Sequence, residues 1–408
     1  MTAVMQGIRI LEVAEHTFVP AAAAILADWG ADVSKIEHVE RGDAMRGLAC
    51  TGVVDLGAGK VHALLEHSNR GKRSLALDLA RPEGLDILYK LAATADVFLT
   101  NKLPQVRARL SIDVADIRAA SPDIVYVRGS GFGAKGPDAD RGGYDILGYW
   151  SRSGIAAAVK SPDDDDLPPM PGPAYGDSIG AMTIAGGISA ALLHRVRTGE
   201  ALTVDVSLLA TGMWALSAGI ALSAQRGEPW QRLSRLRENI RNPLTNSYQT
   251  KGGRWLYLSC LQGFRYWPDA CRVIGRPDLI DDERFATAQA LSDHAFEAVK
   301  ILDAVFASAT LGEWRDRLRD FTGQWAPVQD SIEVMSDEQV TANGYVLEAE
   351  AKDGTRFPLV TTPVQFGGEP SPPHRAPEFN EHGDDILTGE LGLDWDTVVE
   401  LKVKGVVA

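Results

Sequence analysis

Short apolar runs alternate with amphipathic stretches through the N-terminal part of this chain, and few folds accommodate that rhythm. Ile8–Val13 reads as a buried strand and Pro20–Trp29 as a helix closed by Gly30. Asp32–Val39 is the next strand. The alternation then repeats: strand at Ser74–Leu79, helix over Pro82–Ala93, strand at Asp96–Thr100, helices within Pro104–Ala120, strand at Ile124–Val127. Strands that are apolar throughout are covered on both faces, and helices returning between them make the strands parallel. The expected fold is therefore α/β with a parallel sheet, Rossmann-like in general form.

The glycine signature that often accompanies such a sheet is missing. The turn after the first strand, Ala14-Glu15-His16-Thr17-Phe18-Val19-Pro20, contains no glycine. A G-x-G-x-x-G turn uses glycine to bring backbone N–H groups onto a pyrophosphate. A nicotinamide or flavin cofactor is accordingly not expected, and a dehydrogenase reading loses its main support.

Beyond Gln225 the pattern changes. Polar helical pieces at Arg232–Arg241 lead into Arg254–Leu261, which alternates like a strand of an antiparallel sheet. Amphipathic helices follow at Trp267–Ile274, Ala295–Ala307 and Leu311–Phe321. This divides the chain into residues 1–225, a large α/β part, 226–330, a smaller α+β domain with its linkers, and 331–408, which ends in two short helical pieces. Val206–Gln225 carries no charge and approaches the length of a membrane span. Its Ser, Gly, Ala and Thr content suits a helix buried in a soluble protein, covered on every side, with a second subunit as one possible cover.

At 408 residues the chain is long enough for two or more domains, and its net charge of −14 argues against nucleic acid as a main partner. A local basic pocket for a phosphorylated cofactor remains compatible with that balance. The three cysteines, Cys50, Cys260 and Cys271, are odd in number and far apart, which gives neither a disulfide framework nor a zinc pattern. A reducing, cytoplasmic setting follows as the expectation. The eight histidines show no HExxH spacing, and the first ten residues show no secretory signal. The run Asp163–Asp166 reads as a solvated loop rather than a metal site.

One carboxylate stands out. Asp177 lies in Pro173-Ala174-Tyr175-Gly176-Asp177-Ser178-Ile179-Gly180, after a proline-rich loop and before an uncharged stretch from Ser178 to Leu193. An aspartate at the mouth of an apolar helix can be a cap that accepts backbone N–H bonds. It can also be a nucleophile, since flanking glycines allow close approach and a carboxylate can form a covalent intermediate.

Several further runs carry a family resemblance. They include Leu26-Ala27-Asp28-Trp29-Gly30-Ala31-Asp32-Val33 through Glu37, Gly42-Asp43, and Asn69-Arg70-Gly71-Lys72-Arg73. Ala95 through Asn101, Gly131-Phe132-Gly133, Gly143-Tyr144-Asp145, Gly176-Asp177 and Val204-Asp205-Val206-Ser207 continue the series, which closes with Ala326-Pro327-Val328 and Glu381-His382. In this order they resemble the class III CoA-transferases, the formyl-CoA and carnitine CoA-transferase (CaiB/BaiF) family. The resemblance implies a large Rossmann-like domain built from both chain ends, a smaller domain from the middle, and an interlocked homodimer.

It also implies chemistry: CoA moves from an acyl-CoA to a free carboxylic acid, with no metal. Asp177 would be the nucleophile, passing through an anhydride and an aspartyl-CoA thioester. His16, Thr17, Asn69, Lys72, Arg73, Asn101 and Arg109 match CoA-contacting positions, with Lys72 and Arg109 expected on phosphate. N–H groups near the start of the helix after Asp177 are expected to stabilise developing oxyanions.

The chain departs from the formyl-CoA transferase pattern at Thr17, where that pattern has glutamine, at Gly71, at Lys102, and at Ser259-Cys260-Leu261-Gln262-Gly263 in place of a glycine-rich lid. A bulkier or more hydrophobic acyl group than oxalate is the expectation. Rival readings are an α-methylacyl-CoA racemase, which places a histidine where Tyr144 stands, and a CoA-binding protein without catalysis.

Overall fold

The structure is a computed structural model that describes residues 3–50, 56, 61–162, 165–231 and 239–408. The expected helical pieces at Arg232–Arg241 and the carboxylate run Asp163–Asp166 fall partly outside the described residues. The chain forms two compact units, one of Met1–Lys160, Asp166–Gln231 and Glu338–Ala408, the other of Ser161–Asp165 and Arg232–Asp337.

In the first unit β1 (Arg9–Val13), β2 (Asp32–His38), β3 (Arg73–Leu77), β4 (Val97–Thr100), β5 (Val125–Ser130) and β6 (Thr203–Ser207) make one sheet in the order β3-β2-β1-β4-β5-β6. Every pairing in it is parallel. The helices that cover it are α1 (Phe18–Asp28), α2 (Ala63–Asn69), α3 (Pro82–Ala92), α4 (Pro104–Arg109), α5 (Val114–Ala120), α6 (Ile155–Val159), α7 (Tyr175–Thr198), α8 (Leu208–Ala215) and α9 (Ser217–Arg226). Alternation along a strand sends Val97 and Leu99 to a core with Val19 and Leu26 of α1 and Ile184 and Ile188 of α7. Phe98 faces the opposite core, with Leu75, Ile87 of α3, Ile117 of α5 and the C-terminal Ile386, Val398 and Val406. Strand order reverses between β1 and β4, and at such a switch point a crevice opens beyond the C-terminal ends of the strands.

Small residues set how close α7 comes. A Cβ added at Gly180 would lie 2.3 Å from Phe18 Cε2, and one at Gly176 would lie 2.5 Å from Tyr149 Cγ. These contacts press the N-terminal end of α7 onto Phe18 of α1 and onto Tyr149 beside the crevice. By length and composition α7 is apolar enough to cross a membrane, yet Ala181, Ile184, Ala185 and Ile188 recur at helical spacing in the core.

The single helix expected over Val206–Gln225 is not formed. Val206 and Ser207 end β6, the Ser207 side chain caps α8 through the Ala210 N–H, and α8 meets α9 at a bend of 69°. Nor is the segment covered all round within this chain, since Trp214 is 80% exposed.

The second unit pairs β7 (Thr245–Gln249), β8 (Trp255–Ser259) and β9 (Trp325–Pro327) in an antiparallel sheet. Helices Gly263–Val273, Ala295–Phe306 and Leu311–Arg317 pack Trp267, Phe306 and Trp314 into its own core. An antiparallel hairpin of β10 (Val346–Glu350) and β11 (Arg356–Val360), in the first unit, was not anticipated from the sequence.

Candidate active site

A cavity of about 610 Å³ occupies the switch point. Glu15, His16 and Phe18 line it from the turn after β1, and Asn101, Lys102 and Arg109 from the segment after β4. Gly131, Gly143 and Tyr144 come from the loop after β5, and Asp177, Asp205 and Leu208 complete the wall. A second cavity of about 340 Å³ shares Glu15, Arg41, Lys102, Val106 and Arg109 with it and continues past His38 and Leu79.

Asp177 sits in the first turn of α7, half-buried, and none of the described residues donates a hydrogen bond to its carboxyl oxygens. The capping role is filled from elsewhere. Asp145 Oδ2 accepts the Gly176 N–H at 3.3 Å and Asp145 Oδ1 accepts the Ile146 N–H at 2.8 Å. Close glycine contacts bring Asp145 there: a Cβ on Gly131 would lie 2.8 Å from Gly143 Cα, and one on Gly148 would lie 2.6 Å from Gly131 O. Asp145 then starts a π-helical turn, Ile146–Arg152.

Burial and the neighbouring carboxyl of Asp145 set the proton affinity of Asp177. Burial first, and the neighbouring Asp145 second, raise Asp177 to about 8. Asp145 is also raised, by burial, while the N–H groups of Ile146, Gly176 and Asp177 pull it back. The positive end of α7 favours an anion at Asp177, so burial and the second carboxylate outweigh it.

The N–H donors expected to stabilise an oxyanion at this helix start are already engaged. Gly176 and Asp177 point to Asp145, and Ser178 N donates to Ala174 O at 2.9 Å.

Charge in the cavity runs against the charge of the chain. Arg41, Lys102, Arg107, Arg109 and Arg128 line it, against Glu15, Asp177 and Asp205. Lys102 pairs with Glu15 at 2.8 Å and Arg128 grips Asp205 through two bonds of 2.6 and 2.9 Å. Arg109 is exposed and has no ion-pair partner among the described residues. Asn101 clasps the Glu15 backbone, donating to its carbonyl at 2.7 Å and accepting from its N–H at 3.2 Å. His16 adopts left-handed backbone, φ 68°, and its ring packs edge-on to Tyr144 at 5.7 Å.

Asp177, His16, Asn101 and Arg109 thus share one cavity. The other expected contacts lie outside its lining. Thr17 is buried as the residue preceding α1 and does not line the cavity. Lys72 is fully buried, with all three N–H donors taken by Glu12 Oε2, Pro20 O and Asn69 Oδ1, so none is left for a phosphate. Asn69 is buried with it and donates to Ser68 Oγ. Arg73 begins β3, at the end of the sheet away from the crevice, where it pairs with Asp32 and Glu390. Asp145 lies in a run the sequence singled out, but its engagement of the N–H groups at the start of α7 was not read from it. Among the described residues no group of three or more His, Cys, Asp or Glu is placed to hold a metal ion.

An open α/β sheet with a half-buried, unbonded carboxylate and a cationic rim at its switch point defines a protein with a ligand crevice suited to an anionic molecule. Comparison with known proteins narrows this. The sequence profile of CoA-transferase family III matches residues 5–383, and the chain belongs to that family. It is similar to an (R)-2-hydroxy-4-methylpentanoate CoA-transferase of Clostridioides difficile, 29% identical over 404 residues, with 99% of each chain covered. It is also similar to a succinate–glutarate CoA-transferase of Agrobacterium fabrum, 31% identical over 385 residues, with 94% of each covered. A crystal structure of a CaiB/BaiF family protein from Brucella suis superposes with a TM-score of 0.81 at 25% identity, covering 95% of this chain and 100% of that one.

Proposed function

We propose that this enzyme transfers CoA from an acyl-CoA to a free carboxylic acid through covalent intermediates on Asp177. The observation that carries the reading is an Asp177 carboxyl without hydrogen-bond donors, held at the wall of a cavity rimmed by arginines and lysine. Its carboxylate attacks the thioester carbonyl, and CoA thiolate leaves a mixed anhydride. The thiolate attacks the aspartyl carbonyl, which releases the donor acid and leaves an aspartyl-CoA thioester. The acceptor carboxylate attacks that thioester, giving a second anhydride and thiolate. Thiolate attack on the acceptor's acyl carbon yields the new acyl-CoA and free Asp177. Activation is conserved throughout, so no nucleotide is consumed.

We assign the CoA phosphates to Arg109, Lys102 and Arg41, which line the cavities, with Asn101 and the His16 turn on the same wall. Phe18, Leu103, Leu147 and Leu208 offer the acyl group an apolar wall, which supports a hydrophobic substrate. That preference is consistent with the hydroxy-methylpentanoate relative. We further propose a homodimer that covers the apolar side chains left open on α7 and α8.

Intact-protein mass spectrometry after incubation with a panel of acyl-CoAs tests the reading. The wild-type chain gains an acyl or CoA adduct, while Asp177→Ala gains none and loses activity by about 10⁴-fold or more. Undiminished turnover in that variant would overturn it. Incubation in D₂O is the control for α-proton chemistry, because His16 shares the cavity with Asp177. Exchange at the substrate α-carbon without any acceptor acid would favour a racemase.

A further inference from the structure

The turn from β1 into α1 lines the cavity, and it is built without glycine even though His16 is left-handed at φ 68°. L-residues resist that conformation, so the surroundings must over-determine it. Beneath the turn, Asp43 Oδ1 accepts the His16 N–H at 2.9 Å and the Met45 N–H at 2.9 Å. Asp43 Oδ2 pairs with Lys35 Nζ at 2.7 Å. Lys35 Nζ donates to Ala14 O at 2.9 Å and to Glu12 Oε1 at 2.7 Å. The other Glu12 oxygen accepts from Lys72 Nζ at 2.6 Å, and Lys72 Nζ also holds Pro20 O at 2.8 Å.

One chain of charges, Asp43–Lys35–Glu12–Lys72, therefore grips the turn at its centre and on both flanks. The side chains of all three pairings are wholly shielded, at 0% exposure. Buried ion pairs add little net stability over apolar replacements of the same volume, so stability alone does not account for them.

We propose that Asp43, Lys35, Glu12 and Lys72 are positioning residues, which hold the glycine-free His16 turn in the shape that receives CoA. The inference rests on the CoA reading above. It gives the Asn69–Arg73 basic run a task inside the protein: Lys72 shapes the cavity from below instead of touching the ligand.

The test is a double-mutant cycle read by calorimetric titration with CoA itself. Asp43→Ala weakens CoA binding about tenfold, equivalent to about 1.4 kcal/mol. Glycine adopts the left-handed backbone freely, so on a His16→Gly background the same substitution costs less than about twofold. An equal cost on both backgrounds shows that Asp43 acts through general stability, and overturns the proposal. Wild-type binding that Asp43→Ala leaves intact also overturns it. Failure of the wild-type protein to bind CoA overturns the functional reading, and this role with it. Should Asp43→Ala not fold, Asp43→Asn keeps the shape and enters the same cycle under the same criterion.

Discussion

Asp145 and Asp177 show how two identical side chains receive different tasks from their surroundings. Asp145 is engaged by backbone N–H groups at the start of α7, which leaves Asp177 free of capping duty. A nucleophilic carboxylate must be ionised, and Asp177 is held well above the usual carboxylate range. The acidic limb of kcat/KM in the free enzyme is therefore expected to rise towards neutral or mildly alkaline pH, not near 4. Asp145→Asn removes the like charge but keeps an oxygen for the Gly176 N–H, so the limb moves to lower pH. A pH–rate profile of both proteins checks this, and an unmoved limb contradicts the coupling. Stability follows the same sign. A carboxyl whose folded value is raised favours the protonated fold, so stability falls as pH rises from the unfolded value of 3.8 through about 8. Asp177 was legible in the sequence because a lone charge before an apolar run demands a reason. The proximity of Asp145 was not, because it depends on Gly131 touching Gly143 across a fold of the loop. Lys72 was legible as a cation but not in direction. Only the placement of Glu12 on β1 turns it inward.

Elements carried their own signatures unevenly. Strands β1 to β5 and helices α1, α3, α4 and α5 were readable, because buried parallel strands are apolar throughout and the helices between them are periodic. The break between α8 and α9 was not, since an uncharged run of small residues hides a bend of 69°. The β10–β11 hairpin was hidden too, because its strands alternate over only five residues each and Pro358 inside β11 argues against a strand. The contact of α7 with α1 depends on Gly180. Adding one methyl there, Gly180→Ala, sets a Cβ 2.3 Å from the Phe18 ring and pushes that ring towards the cavity. Thermal unfolding is expected to show a loss of about 1–3 kcal/mol, with reduced turnover. Phe18→Leu in the Gly180→Ala background should restore part of it, and additive losses would show that the two side chains do not meet.

At the scale of the whole molecule, the remaining question is what covers the apolar surface. Val196 on α7 and Trp214 on α8 are 81% and 80% exposed in the single chain, with Leu193 and Met213 beside them. Exposed aromatic and aliphatic side chains grouped on adjoining helices mark an interface. Light scattering coupled to gel filtration is expected to report twice the mass of 43.9 kDa calculated for one chain. Trp214→Asp is expected to shift that species towards the monomer, and a wild-type monomer would refute the assembly.

The chain path itself has a consequence. Val407 bridges to Leu77 of β3, and the His382 N–H donates to Ser74 O at 3.0 Å. Ile386, Leu387 and Val398 shield the same side of the sheet. During synthesis β3 emerges early, but these shielding residues arrive only after the entire second unit has left the ribosome. One half of the molecule must therefore wait, with its apolar side uncovered, while an inserted stretch folds to completion. Refolding rates should bear the mark of that long-range closure, and the interval is where molecular chaperones have most to protect.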